Sequence, residues 1–525
     1  MKKLFIIGVE IMKNEEKMEK VVYSASLSGI DAVMVSIESD ISFGMANFNI
    51  VGLPDNAVKE AKVRVMNSIK YLNLDLPQKK ITLNLAPADM KKDGSAFDLP
   101  MAIAVLNGFS LLNVELTKKY LIAGELSLFG EVRNIHGALS LAILAKERGL
   151  SGIILPQDNA EEASLIPGID VFGIKDLKEL FGFLTGKSQL KKTESKKYNL
   201  DISNHFEEDF SEVKGQFLSK RAIEIAITGR HNIMMIGSPG SGKTMLAKRL
   251  PSITPPLTYN EMIEVIKIYS AAGLLKQGLK KLFSRPFRSP HHSISEAGLV
   301  GGTSNPKPGE VSLSHNGILF LDELTEFKKS TLEVLRQPIE DREVTITRAS
   351  GSLTFPASSM FVAAMNPCPC GFYGDPSNTC SCSHNEIRRY QKKISGPLLD
   401  RIDLVITVPA VKPSDLVNTI ESESSEKIRK RVMKAFELQK TRLISKEYNF
   451  NSMMSPKDIK KYCKIDNNTK KFLRFSIEKF GISARKYSRI LKVARTIADL
   501  ENSIEVQQHH ISEALNFNIQ KVLIN

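Results

Sequence analysis

The run Ile233 to Ile236 leads straight into Gly237-Ser238-Pro239-Gly240-Ser241-Gly242-Lys243-Thr244, and Met245 to Leu250 then take up a helical pattern. Strand, glycine-rich loop and helix in that order leave few folds open. The loop has to sit at the carboxyl edge of a parallel strand, with a helix N-terminus behind it. Glycines let backbone N–H groups close around phosphate oxygens, and the helix end adds partial positive charge. The G-x-x-x-x-G-K-T spacing predicts a phosphate-binding loop, with Lys243 facing the β- and γ-phosphates and Thr244 ligating Mg2+.

A matching second half is present in Ile318-Leu-Phe-Leu-Asp322-Glu323, four apolar residues of a buried parallel strand ending in two carboxylates. Asp322 is expected to hold Mg2+ through water, and Glu323 to act as the base that activates an attacking water. Met360 to Met365 reads as a third apolar strand ending at Asn366, whose amide either positions that water or serves as a turn residue before Pro367. Gly396-Pro-Leu-Leu-Asp-Arg401-Ile-Asp403 places an arginine at the end of a short helix, where it can reach the nucleotide of a neighbouring subunit. Ser483-Ala-Arg485 opens a helix whose apolar face carries Tyr487, Ile490, Leu491, Ala494 and Ile497. Arg485 is read as a phosphate sensor; for Arg489 and Lys492 a solvated basic face competes with that role.

A chain of 525 residues has room for about three domains. Residues 21–186 alternate β-branched runs (Ala32 to Ile37, Lys80 to Leu85, Gly152 to Leu155) with helical stretches (Asp55 to Asn73, Ala138 to Arg148), an α/β pattern. Residues 187–205 are polar and read as a linker, 206–410 hold the nucleotide motifs, and 411–525 are helical with Gly481 as their one glycine. No apolar run approaches the roughly 18 residues of a spanning helix, so no membrane partner is expected, and Met101 to Leu112 reads as a core helix. Met1 to Gly8 resembles a signal peptide only until Glu10 and Lys13 to Lys20 cut it short; it reads as an extension, with Met12 or Met18 as alternative starts. Four of the five cysteines fall between 368 and 382, which suits a reducing cytoplasm better than a disulfide framework. The formal charge is +14, and residues 411–525 carry 23 Lys and Arg against 13 Asp and Glu. That excess is either a solvated helical surface or an electrostatic footprint for a polyanion.

The order of phosphate loop, Asp322-Glu323, Asn366, Leu-Leu-Asp-Arg401 and Ser-Ala-Arg485 resembles AAA+ ATPases of the magnesium-chelatase type. Longer runs narrow the resemblance to the ComM/YifB family over nearly the whole chain: Arg285-Pro-Phe-Arg-Ser-Pro-His-His292, Pro308-Gly-Glu-Val-Ser-Leu-Ser-His315 and Met365-Asn-Pro-Cys-Pro-Cys-Gly371. The resemblance implies an N-terminal Lon-protease-like α/β domain, an AAA+ core with a parallel sheet and a C-terminal helical lid. It implies ATP and Mg2+ as cofactors and a homo-oligomeric ring, expected to be a hexamer. It further implies a helicase acting on single-stranded or branched DNA, promoting branch migration in natural transformation. A motor remodelling a protein or metal-insertion partner is one alternative, and a switch that binds ATP without translocating is another. Intact Glu323 and Arg401 speak against the switch.

Three features bear on that resemblance. Aligning Lys91-Lys-Asp-Gly94 and Ile135-His-Gly137 with Lon puts Ala96 and Leu139 where the serine–lysine dyad would stand, with Ser95 one position off, so no peptidase is expected. Glu340 to Pro356 reads as a β-hairpin turning at Ser350-Gly351, similar to the one related helicases point into the ring pore; Arg342 and Arg348 would contact DNA phosphates there, with a plain surface hairpin as the alternative. Ser293 to Asn316 is the other pore-loop expectation, and His291 and His292 are assigned to capping or substrate-loop contacts. Finally, Cys368-Pro-Cys370 and Cys380-Ser-Cys382 fit either a closed structural zinc site or free thiols.

Overall fold

The computed structural model describes residues 20–74, 76–195, 206–275, 283–302, 307–348, 351–410, 422–444, 446 and 448–518. They group into two compact units, one drawn from Met1–Tyr198 and Ile266–Leu279, the other from Asn199–Val265 and Lys280–Asn525. The expected N-terminal extension lies outside the described residues. Among those that are described, no helix is long and apolar enough to cross a membrane.

The first unit contains β1 (Val21–Ser28), β2 (Asp31–Ser42), β3 (Asn47–Val51), β4 (Lys80–Ala86), β5 (Tyr120–Ile122), β6 (Glu125–Leu126), β7 (Val132–Arg133), β8 (Gly152–Pro156) and β9 (Asp170–Ile174). Seven of these form one mixed sheet in the order β3-β4-β2-β1-β5-β8-β9, parallel from β1 through β9, while β6 and β7 pair separately. Every residue of β8 is buried, as a parallel strand covered on both faces requires. The helix Asp98–Gly108 is buried from Asp98 to Asn107, which is why its sequence shows no polar stripe. The segment 187–195, expected as linker, instead adds to the sheet edge. Thr193 N–H donates to Val171 O (2.8 Å), and Lys192 bridges Phe172. The free backbone groups of edge strand β9 recruit the chain that follows.

The second unit contains β10 (Ile233–Ile236), β11 (Phe287–Arg288), β12 (Ile318–Leu321), β13 (Glu343–Arg348), β14 (Gly351–Pro356), β15 (Met360–Met365) and β16 (Leu404–Thr407). Five form a parallel sheet in the order β11-β12-β15-β10-β16. The mixed α/β class with a parallel nucleotide-site sheet and a helical C-terminal region is what the sequence predicts. The C-terminal helices, however, do not carry a separate core. Val432, Leu473, Ile490, Leu491, Ala494 and Ile497 share one apolar cluster with Ile233, Met235, Val362 and Leu404 of the sheet.

Nor is the basic surplus of that region simply a solvated surface. Asp499 is buried between Arg442 (Nη1–Oδ2 2.8 Å) and Arg495 (Nε–Oδ1 3.1 Å), and Arg431 pairs with Glu224 (2.5 Å) and with Glu423. The Arg442–Asp499 and Arg431–Glu224 pairs tie one helix to another, so these arginines already have carboxylate partners within the chain.

His315 provides a pH test of this unit. Its Nδ1 accepts from Ser358 N–H (3.1 Å), so the buried ring is neutral with its proton on Nε2, donated to Glu264 (3.0 Å). Burial lowers its pKa below the ordinary 6.5, outweighing the attraction of Glu264. A lowered folded-state pKa means that the unfolded chain takes up a proton first as pH falls, so stability is lost below about 6.5. The thermal midpoint is expected to drop between about pH 7 and 5, and His315→Gln to flatten that slope; an unchanged slope would remove His315 as its source.

Candidate nucleotide site

At the end of β10 the Gly237 N–H donates to Met365 O at the end of β15 (3.2 Å). A Cβ on Gly237 would lie 2.3 Å from Val408 O, so no larger residue fits where the loop leaves the sheet. The helix Lys243–Ile253 then begins at Gly242 without a side-chain cap, which leaves its first N–H groups open to an anion. Lys243 is buried and folds back over the loop. Its ammonium donates to the carbonyls of Gly237 (2.8 Å) and Ser238 (2.9 Å) and to Asn366 Oδ1 (3.2 Å). Burial lowers its pKa, while Asp322 and Glu323 pull the other way.

Thr244 Oγ1 donates to Asp322 Oδ2 (2.6 Å), and the Glu323 N–H donates to Asp322 Oδ1 (2.9 Å), which orients the carboxylate. A hydroxyl and a carboxylate oxygen meeting beside the phosphate loop are the hard oxygen donors that Mg2+ prefers, so the residues fit the ion. Glu323 leaves β12 in the left-handed region, with φ 50, a conformation that costs on the order of 1 kcal/mol or more. Its side chain is 61% exposed at the mouth of the site, with His292 Nδ1 3.6 Å away. His292, assigned from the sequence to capping or a substrate loop, therefore lies beside Glu323. The adjoining cleft is lined by Asn366, Arg389, Tyr390 and Lys393.

The two arginines expected from the sequence to reach a nucleotide lie elsewhere. Arg401 follows the short helix Gly396–Leu399; its guanidinium pairs with Glu340 and donates to Pro397 O (2.7 Å), and its carbonyl accepts from Asn232 Nδ2 (3.0 Å). Arg485 Nη2 stands 4.0 Å from the other oxygen of Glu340. Asn232 precedes β10 and Asp403 precedes β16, so this cluster occupies the amino edge of the sheet, whereas Lys243, Asp322 and Asn366 occupy the carboxyl edge. Each of those strands is four residues long, about 13 Å at about 3.3 Å per residue. Arg485 was expected to face ATP; in this fold it shares a carboxylate with Arg401 instead. Arg489 pairs with Asp403 (3.5 Å) and Lys492 donates to Ser452 O (2.9 Å), so both turn inward rather than forming a solvated face.

Arg342 lies at the root of the β13–β14 hairpin, not its tip, because its carbonyl accepts from Ala357 N–H (2.8 Å) just beyond the last strand pair. Burial lowers its pKa, against the pull of Tyr448 and Asp403. That setting places it in one cleft with Arg401, Asp403 and Arg489. Arg348 ends β13, and its side chain lies outside the described residues. The exposed hairpin face carries Thr345, Thr347, Ser352 and Thr354. Of the Ser293 to Asn316 stretch, residues 303–306 are outside the description; the rest holds two short helices, Glu296–Val300 and Glu310–Leu313.

The four clustered cysteines do come together: the sulfurs of Cys368, Cys370, Cys380 and Cys382 all lie within 4.8 Å of one another. The Cys370 and Tyr373 N–H groups donate to Cys382 Sγ (3.4 Å) and Cys368 Sγ (3.3 Å), as they would to thiolates. In the first unit, Leu139 is buried and Ser95 Oγ pairs with Glu125.

Several participants carried no readable signal. Gln216 donates to Ser241 O (2.5 Å) and Pro409 O (3.2 Å), bracing the phosphate loop from a segment with no motif of its own. Glu340 was legible only as hairpin sequence, since its partners Arg401 and Arg485 are distant along the chain.

Fold and site together define a P-loop ATPase of the AAA+ class. The chain matches the family profile "Magnesium chelatase, subunit ChlI" over residues 209–416, "Subunit ChlI of Mg-chelatase" over 37–159 and "Magnesium chelatase, subunit ChlI C-terminal" over 422–518. It is 41% identical to competence protein ComM of Haemophilus influenzae over 502 residues, covering 95% of this chain and 97% of that protein. It is 39% identical to YifB of Escherichia coli, described as uncharacterized, over 510 residues, covering 96% and 98%. A more distant match, 24% over 321 residues, is to DNA replication licensing factor mcm-6 of Caenorhabditis briggsae, covering 57% of this chain and 34% of that protein. The chain belongs to the ComM/YifB family of magnesium-chelatase-like AAA+ ATPases.

Proposed function

We propose that the chain is a subunit of an ATP-driven ring motor that acts on DNA, hydrolysing ATP at sites shared between neighbouring copies. The observation that carries this reading is the position of Arg401 and Arg485, at the opposite edge of the sheet from Lys243. One copy holds both halves of a site but cannot bring them together, whereas a second copy presenting its amino edge to the first copy's phosphate loop can. A hexamer is the ring size proposed. Lys243 neutralises phosphate charge, Asn366 orients the attacking water and Glu323 takes its proton. Thr244 and Asp322 would hold Mg2+, which would supply neutralisation of the phosphate charge. Arg401 and Arg485 exchange Glu340 for the neighbour's γ-phosphate.

The DNA part rests on names: one relative is a competence protein and another a DNA replication licensing factor. Branch migration by a helicase is the finer reading, with the hydroxyl-lined hairpin face as the contact to phosphates in place of Arg342. The test is the ATPase rate with and without single-stranded and branched DNA at low salt. Stimulation of several-fold that fades as salt rises is expected. If DNA neither binds nor stimulates, the DNA reading fails and a protein-remodelling motor, as the chelatase profile would suggest, takes its place.

For the cysteine cluster we propose Zn2+. Four cysteine sulfurs, two of them already met by backbone N–H donors, form a closed set with no open position, which suits a structural ion.

A further inference from the structure

We propose that the cysteine loop is a brace for the phosphate loop, so that zinc in the Cys368–Cys382 cluster sets the affinity for ATP some distance from the nucleotide itself. The proposal rests on the zinc reading above and adds a regulated property to the nucleotide site.

Three contacts join the two loops. Gly371, one residue beyond Cys370, sits in the left-handed region at φ 88, and a Cβ there would lie 2.5 Å from Pro239 Cδ and 2.7 Å from Pro239 Cγ. The backbone of the cysteine loop is thus packed directly against the proline of the phosphate loop. Asp375, between the two cysteine pairs, stands against the Ser238 hydroxyl, and that contact is foremost in holding its carboxyl below the ordinary carboxylate range. At the loop's start, Asn366 accepts from Lys243 (3.2 Å) two residues before Cys368, and Pro367 O accepts from Gln391 (2.9 Å).

Among the described residues of 366–382 there is no strand and no helix, and Cys368 is the one cysteine of the four that is buried. Without an ion, four thiols give this stretch only weak N–H to sulfur contacts. With one, both ends of the loop are tied to a single point, and Gly371 and Asp375 between them are fixed against Pro239 and Ser238. Loss of zinc frees that surface and lets the phosphate loop relax from its binding shape. Because thiolates lose zinc on oxidation, the same connection makes ATP binding sensitive to oxidants such as peroxide.

The experiment uses the full chain and two readouts: zinc per chain by metal analysis, and equilibrium affinity for a fluorescent ATP analogue. Wild type is expected to hold about one zinc per chain, and stripping it with a chelator, or Cys380→Ser with Cys382→Ser, to weaken ATP binding about tenfold or more. Gly371→Ala is expected to weaken ATP binding with zinc retained. It also covers the case in which the cysteine variant fails to fold. Zinc lost with ATP affinity unchanged overturns the brace and leaves the zinc site standing. So does unchanged affinity in Gly371→Ala. A wild-type chain without zinc overturns the zinc reading and the brace with it.

Discussion

Glu323→Gln is expected to slow ATP hydrolysis by about 10²- to 10⁴-fold while leaving ATP affinity close to wild type. The separation follows from the geometry. The contacts that form the nucleotide cradle run through Lys243, Thr244 and Asp322, and Glu323 contributes to them only its backbone N–H, which glutamine keeps. Its carboxylate is exposed at the mouth of the site, where it can accept a proton from water. Glutamine is nearly isosteric and adopts the same backbone, so what is removed is basicity. Phosphate release measured beside equilibrium binding of a fluorescent analogue checks both halves. Unimpaired hydrolysis would remove Glu323 from the role of base, and lost binding would show that the substitution had disturbed the loop.

Arg401→Ala is expected to cost about 10³- to 10⁵-fold in hydrolysis, again with ATP binding preserved, because an arginine supplied to the transition state carries that much of the rate. In the isolated chain its guanidinium is held by Glu340 and Pro397 O, and its Nε has no hydrogen-bond partner. Such an arginine is poised rather than committed: a γ-phosphate offers more negative charge than one shared carboxylate. Arg401→Lys is expected to recover little, since a point charge cannot make the two parallel contacts of a guanidinium. Full activity in either variant would contradict the assignment.

What could be read from the sequence was local. The phosphate loop, the Asp322-Glu323 strand and the hairpin all announce themselves within a dozen residues, because strand period, glycine and carboxylate follow one another along the chain. The convergence of four cysteines followed from two close pairs, though not the packing of Gly371 on Pro239. What escaped depends on the fold bringing distant segments together. Arg485 is legible in sequence as a phosphate sensor, but its place beside Arg401 is not, because it depends on the C-terminal helices sharing a core with the sheet. The place of Arg342 at the root of the hairpin was not legible either, because a basic residue beside a hairpin gives no sign of which end it occupies. The charge surplus of the C-terminal region is legible in sequence only as a total: composition counts Arg442 and Arg431 as free although Asp499 and Glu224 are distant along the chain, and Arg495 meets Asp499 one helical turn further on.

The central claim, that each ATP is hydrolysed between two copies, is tested most directly by mixing two inactive chains. Lys243→Ala lacks the half that binds phosphate, and Arg401→Ala lacks the half presented to the neighbour. Each alone should be nearly silent. In rings assembled at random from equal amounts, about a quarter of the interfaces pair an intact Lys243 with an intact Arg401, so the mixture is expected to regain about a quarter of the wild-type rate. A mixture no more active than its two components would contradict a shared site.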